Sequence, residues 1–144
     1  MDAGTKNMSI SEVEQEIVDE FSLFDDWMEK YEHLIEMGKR LPAIEDEYKN
    51  EEHRVRGCQS NVWLRAYQEN GRVYYKADSD AIITKGMIAL LLRVLSGQPP
   101  QDIENAELKF IDEIGMKEHL SSQRSNGLEA MIRHIRQYAK NFKS

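Results

Sequence analysis

Asn70-Gly71 separates two runs of β character, 61–69 and 72–78, in a chain that is otherwise patterned for helices, and no other feature narrows the fold as much. Asn and Gly both accept the positive φ angles of a two-residue hairpin turn. Val62, Leu64 and Tyr67 before the turn, and Val73, Tyr74 and Tyr75 after it, suit a pleated surface. Strands are therefore expected at 61–69 and 72–78, with a third at 54–56. On either side the period is helical. Ile10, Val13, Ile17, Val18 and Phe21 form one stripe, with Ser11 three residues before Glu14 as a capping box. Asp25 or Asp26 caps a second helix carrying Trp27, Met28, Tyr31, Leu34, Ile35 and Met37, which ends near Gly38 before Leu41-Pro42. Residues 43–52 read as an extended acidic connection.

After the hairpin, Asp78-Ser79-Asp80 stands where it can cap a third helix. Ile82, Ile83, Met87, Leu90, Leu91, Val94 and Leu95 make this the most apolar helix, and so the central one. Gly97, Pro99 and Pro100 end it. Short helices are expected from Gln101 and over 111–114, and a last one from Asn126 to about Phe142 with Leu128, Met131, Ile132, Ile135 and Tyr138 on one face. Helices, then a small sheet, then helices predict an α+β domain in which a three-stranded antiparallel sheet packs against helices.

A length of 144 residues suits one compact domain. The longest apolar run, Met87 to Leu92, stops at Arg93, well short of the ~20 residues needed to span a bilayer. Met1 to Ser9 has neither an apolar core nor a cleavage pattern, so no secretory signal is read there. A net charge of −7 offers no general attraction to phosphate backbones, and nucleic acid is not an expected partner. Acidic residues concentrate in 12–20 and 45–52, whereas 133–143 is basic. This asymmetry reads as solvated surface or as a means of selecting a protein partner.

Cys58 is the only cysteine, so it cannot form an internal disulfide, and a single free thiol fits a reducing cytoplasm. Residue type alone leaves two readings open, a small buried hydrophobe or a nucleophile. Gly57 permits an unusual turn, Gln59 and Ser60 supply polar groups, and Arg54 and Arg56 either support a thiolate or point into water. Trp63 is either a core aromatic or a wall that shields the thiol. Arg124 is either a loop arginine or a cation folded back toward Cys58. His33, His53, His119 and His134 are scattered and stand in no catalytic segment, and one cysteine among them lacks the paired spacing of a zinc site. Asp78 and Asp80 read as helix-capping residues rather than an acid–base pair.

At these residues the chain resembles the SufE family of sulfur-acceptor proteins, partners of cysteine desulfurases in iron–sulfur cluster assembly. The resemblance rests on Gly38-Lys39-Arg40-Leu41-Pro42, on Val55-Arg56-Gly57-Cys58-Gln59-Ser60-Asn61-Val62-Trp63 and on Asp78-Ser79-Asp80-Ala81-Ile82. Lys85-Gly86, His119-Leu120 and Arg124-Ser125-Asn126-Gly127-Leu128-Glu129-Ala130-Met131-Ile132 complete it, in family order over about residues 15 to 140. Residues 1–9 lie outside it and read as a flexible extension to a single domain at 10–144.

The resemblance implies an α+β fold shared with the IscU scaffold family. It also implies a Cys58 that takes persulfide sulfur from a SufS- or CsdA-type cysteine desulfurase, stimulates that enzyme, and passes sulfur to a SufBCD-type scaffold. No stably bound cofactor is implied: the covalent intermediate is a transient cysteine persulfide, and pyridoxal phosphate belongs to the desulfurase. Gly57, Gln59, Ser60, Trp63, Asp80 and Arg124 are the expected supports of the cysteine loop, with Trp63 and Leu90 walling an apolar cavity. The competing reading is a noncatalytic regulator of a desulfurase in which Cys58 is structural.

Overall fold

The computed structural model describes residues 8–142. Six α-helices run in chain order as α1 (Ile10–Phe21), α2 (Trp27–Lys39), α3 (Ile82–Leu95), α4 (Pro100–Asn105), α5 (Phe110–Glu113) and α6 (Ser122–Phe142). Two strands, β1 (Val62–Glu69) and β2 (Arg72–Ser79), pair antiparallel between α2 and α3. The fold is α+β. Asn70 and Gly71 have φ of 52° and 77°, so both turn residues sit in the left-handed region, which Asn tolerates and Gly, with no Cβ, enters freely. The register follows directly, from Glu69 opposite Arg72 to Val62 opposite Ser79.

The sheet has two strands, not three. Residues 54–56 contribute a single bridge, Arg54 to Trp63, before the chain turns at Arg56-Gly57. Val55 still donates its N–H to the Val62 carbonyl at 2.8 Å. The run is too short to extend a ladder, because the turn bearing the cysteine begins two residues later. Residues 43–52 also depart from a plain extended connection. Ala43 makes a parallel bridge to Ala77, and two 3-10 turns follow at Asp46–Tyr48 and Glu51–His53. The acidic character of this segment has a physical use: Glu45 meets Arg65 and Lys76, and Lys49 reaches Asp78 at 2.8 Å, tying the segment across the outer face of the hairpin.

Helix starts depart from the sequence reading by two to four residues at α1 and α6. The capping box on α1 is Ser9 with Glu12, not Ser11 with Glu14: Ser9 Oγ accepts the Glu12 N–H while Glu12 accepts the Ser9 N–H. Ser9, and Met8 whose carbonyl accepts a hydrogen bond from Gln98, therefore belong to the folded domain. Of the proposed flexible extension, residues 1–7 lie outside the described residues. Asp26 caps α2 as expected. No side chain caps α3, because Ala81 occupies the N-cap and the carboxylates before it are engaged elsewhere. The final helix begins at Ser122, four residues earlier than its apolar stripe suggested.

α3 is the centre of the molecule. Thr84, Gly86 to Leu92, Val94 and Leu95 are all buried, and α3 packs on α1, α2, α6 and β2. The inward face of the hairpin supplies Val62, Leu64, Val73, Tyr75 and Ala77 to the same core. Helix α2 can approach α3 closely because glycines meet at their crossing. A Cβ on Gly86 would stand 2.8 Å from the Leu34 carbonyl carbon and closer still to its oxygen; one on Gly38 would stand 3.0 Å from the Gly86 nitrogen. Gly86→Ala is therefore expected to destabilise the fold by about 1–3 kcal/mol despite the better helix propensity of Ala, since the obstacle is backbone. Gly38→Ala should cost less. Urea midpoints of the two variants against the parent check the order.

Candidate functional site: the Cys58 loop

The loop carrying Cys58 is pinned at both ends. At its start, the Val55–Val62 hydrogen bond fixes the chain before the turn. At its end, Asn61 is gripped by the residues that follow β2. Its N–H and its Nδ2 donate to the two oxygens of Asp80, at 3.1 and 2.8 Å, and its carbonyl accepts from Ser79 Oγ at 2.8 Å. Asp80 thus positions the loop rather than capping α3. Asp78 is held by Lys49 and Lys85 at the other side of the strand end. Burial opposes its charge, yet the hydrogen bonds from Lys49, Ser79 N–H and Lys85 keep its carboxyl below the ordinary aspartate range.

Between these pins the loop lies against α6. Gly57 has φ of 97°, a conformation costly for any residue with a Cβ. A Cβ there would also stand 3.0 Å from Ala130 Cβ. One turn earlier on α6, Gly127 lies under Cys58, with only 3.5 Å between its missing Cβ position and Sγ. The Cys58 thiol donates to the Gly127 carbonyl at 3.5 Å. Small residues spaced three apart on the helix, 127 and 130, therefore make the seat on which the loop rests.

A cavity of about 710 Å³ opens beside the sulfur, lined by the Cys58-Gln59-Ser60 loop, Asp80, the first turns of α3 and the start of α6. Gln59, Ser60, Asp80 and Arg124 are brought together there with Cys58, and Gly57 shapes the loop next to it. Arg124 stands in the first turn of α6, not in a loop; its side chain is exposed at the rim, and its N–H donates to Ser121 Oγ. Trp63 is not part of the cavity. Strand alternation sends Val62 and Leu64 into the core and turns Trp63 to the other face, where Lys49 lies 6.0 Å from its ring centroid. Leu90 is buried in the core about one turn beyond the cavity; the apolar wall comes instead from Ile82, Ile83 and Met87. None of the four histidines lines it: His33 bonds Glu20, His53 bonds Asn50, His119 stacks on Trp27, and His134 is on α6.

Cys58 is half-buried. Loss of hydration pushes its thiol above the ordinary cysteine range, and Arg133 and Arg54 offset part of that rise. Arg54 was anticipated from sequence and Arg133 was not, because it lies 75 residues away and reaches the loop only through the packing of α6. Arg56 is turned outward, its guanidinium 3.7 Å from Glu51. At rest the sulfur is therefore a protonated, hydrogen-bonded thiol. Since the thiolate is the reacting form, iodoacetamide should modify the native chain slowly at neutral pH and faster only above the ~8.5 of a free thiol, whereas the urea-unfolded chain should follow the free-thiol curve. Asp80→Ala, which releases Asn61, should shift the native curve toward the unfolded one and speed modification at neutral pH by roughly threefold to tenfold. Identical native and unfolded profiles would remove the protected resting state.

Comparison with known proteins identifies the family. The family model SufE, an Fe-S metabolism associated domain, matches residues 15–139, which contain both the loop and its seat on α6. The chain is 41% identical over 130 residues to an uncharacterized SufE-like protein of Rhizobium etli, covering 87% of this chain and 88% of that one. It is 38% identical over 129 residues to an uncharacterized SufE-like protein of Rhizobium meliloti, covering 86% and 92%. The solution structure of a hypothetical protein from Thermus thermophilus shares the fold, with a TM-score of 0.74 over 90% of this chain and 94% of that one at 21% identity. A family match that spans the hairpin, the central helix and the cysteine loop together places this chain in the SufE family.

Proposed function

We propose that the chain is a sulfur carrier in Fe–S metabolism, with Cys58 as the atom-bearing residue. The observation that supports this best is the seating of a lone thiol on a loop pinned at two ends and opening on a cavity. The donor is a cysteine desulfurase of SufS or CsdA type, whose pyridoxal phosphate frees sulfur from cysteine and leaves it as a persulfide on the desulfurase's own cysteine. Cys58 loses its proton to solvent, and its thiolate attacks the outer sulfur of that persulfide. A new S–S bond forms on Cys58 as the donor's S–S bond breaks, and the donor cysteine departs as thiolate. No net oxidation or reduction occurs. A scaffold of SufBCD type then takes the sulfur by the same kind of exchange, and occupancy of the donor site by this chain stimulates desulfurase turnover.

The resting geometry suits a carrier. A thiol held protonated and half-covered is a poor target for stray electrophiles, and the transfer requires the loop to present Sγ to its partner. The hinges for that motion are the positive-φ Gly57 and the chain before Asn61, both outside regular secondary structure. Gln59 and Ser60 travel with the sulfur, while Asp80 stays with the strand end.

Incubation with a cysteine desulfurase and free cysteine, without reductant, should add the mass of one sulfur atom to the chain, reversed by dithiothreitol and absent from Cys58→Ser. If Cys58→Ser still stimulates the desulfurase as fully as the parent, and the parent gains no sulfur although it binds, the chain is a regulator and the carrier reading fails.

A further inference from the structure

Besides Arg124 at the cavity rim, three arginines border the cysteine loop, and they differ in what else they bind. Arg54 lies 3.4 Å from Glu51, and Arg56 shares that same carboxylate at 3.7 Å, so their charge is partly spent before it reaches the sulfur. Arg133 is different. It stands on the exposed side of α6, one turn beyond the Gly127–Ala130 seat, and its Nη2 is 3.7 Å from the position a Gly57 Cβ would occupy. Among the described residues no carboxylate pairs with it. Two further charged groups face the site: Asp80, whose oxygens are committed to Asn61, and Arg124 at the cavity rim. The carbonyl of Gly127, which holds the thiol proton at rest, disfavours a sulfur anion in the same place.

Building on the carrier reading above, we propose that Arg133 is the positioning residue for sulfur transfer, its uncompensated guanidinium supporting the sulfur anion of Cys58 as it leaves the Gly127 carbonyl. The loop's contact on α6 thereby serves two ends. Gly127 accepts the proton-bearing thiol, and Arg133, two turns along the same helix, favours the anion that must form before sulfur can move. Sequence spacing alone does not show this, since Arg133 follows the basic pattern of the C-terminal stretch as if it were ordinary solvated surface.

The test is the pH profile of Cys58 alkylation by iodoacetamide in the full chain, for the parent, Arg133→Gln, Arg133→Lys and, as a control for loss of one charge on the same helix, Lys140→Gln. Arg133→Gln should move the midpoint upward and slow modification roughly twofold to threefold below it. Above the midpoint the two curves should meet or cross, because a thiolate of higher basicity is the better nucleophile. Arg133→Lys should restore most of the parent profile, and Lys140→Gln should match it. Thermal melts verify that all four chains are folded, which the exposure of Arg133 favours. Superimposable profiles for parent and Arg133→Gln, or a shift equally large in Lys140→Gln, would overturn the assignment. The mass assay for sulfur loading runs alongside on the parent: loading without an Arg133 effect removes only this proposal, whereas failure to load removes the carrier reading and, with it, any transfer for Arg133 to assist.

Discussion

The close crossing of α2 on α3 is the constraint on which the rest of the structure depends. Gly86 brings α3 against the backbone of α2 near Leu34, which lets a helix buried along nearly its whole length serve as the core for everything around it. The hairpin then closes one side of α3, and α1 and α6 pack on others. Dispersion and burial reward such contact only if the surfaces meet without voids, so a glycine at the crossing does more than a larger apolar side chain would. Because α3 is fixed, its first turn is fixed, and with it Ile82, Ile83 and Met87 along the cavity.

The cysteine loop repeats that logic on a smaller scale. Gly57 removes a Cβ that would press on Ala130, Gly127 leaves Sγ at ordinary van der Waals distance from its open position, and the loop drops onto α6 far enough for the thiol to meet a main-chain carbonyl. Backbone geometry at Gly57 and the double hydrogen bond between Asp80 and Asn61 then set where the sulfur sits. Burial and the carbonyl keep it protonated, while nearby arginines pull the other way. The proposed carrier role needs both tendencies: stability of the sulfur when alone and reactivity when engaged. A loop tethered at its ends but otherwise outside the helical and strand ladders can pass between the two without disturbing the core.

Much of this was legible in the residues. Asn70-Gly71 determined the hairpin and its register because few residues accept two successive positive φ angles. The apolar continuity of 82–95 marked the central helix, since a helix without a polar face has nowhere to go but inside. The loop motif around Cys58 and the resemblance to the SufE family singled out the sulfur on which the proposed function rests. What went astray were features in which one residue's partner lies far off in the chain. Asp80 carried two readings, a helix cap and a support of the cysteine loop, and it does not cap α3 because Asn61 at the end of the loop offers its carboxylate two donors at once. Trp63 was placed beside the sulfur by proximity in sequence, yet in a strand adjacent residues face opposite sides. The third strand shrank to one bridge because the turn at Gly57 ends the segment too soon.

By itself, then, the sequence determined the α+β class, the hairpin, the central helix and the identity of Cys58 as the chemically distinctive atom, all of which follow from local backbone preference, hydrophobic period and a recognisable motif. Only the tertiary structure decided that Gly127, Ala130 and Arg133 form the surface under the loop, that Asp80 holds Asn61, and that the thiol rests protonated against a carbonyl. The seat under the loop joins segments some 70 residues apart and the Asp80–Asn61 contact joins segments 19 apart, and electrostatic shifts and close packing are functions of distance, which no local pattern encodes.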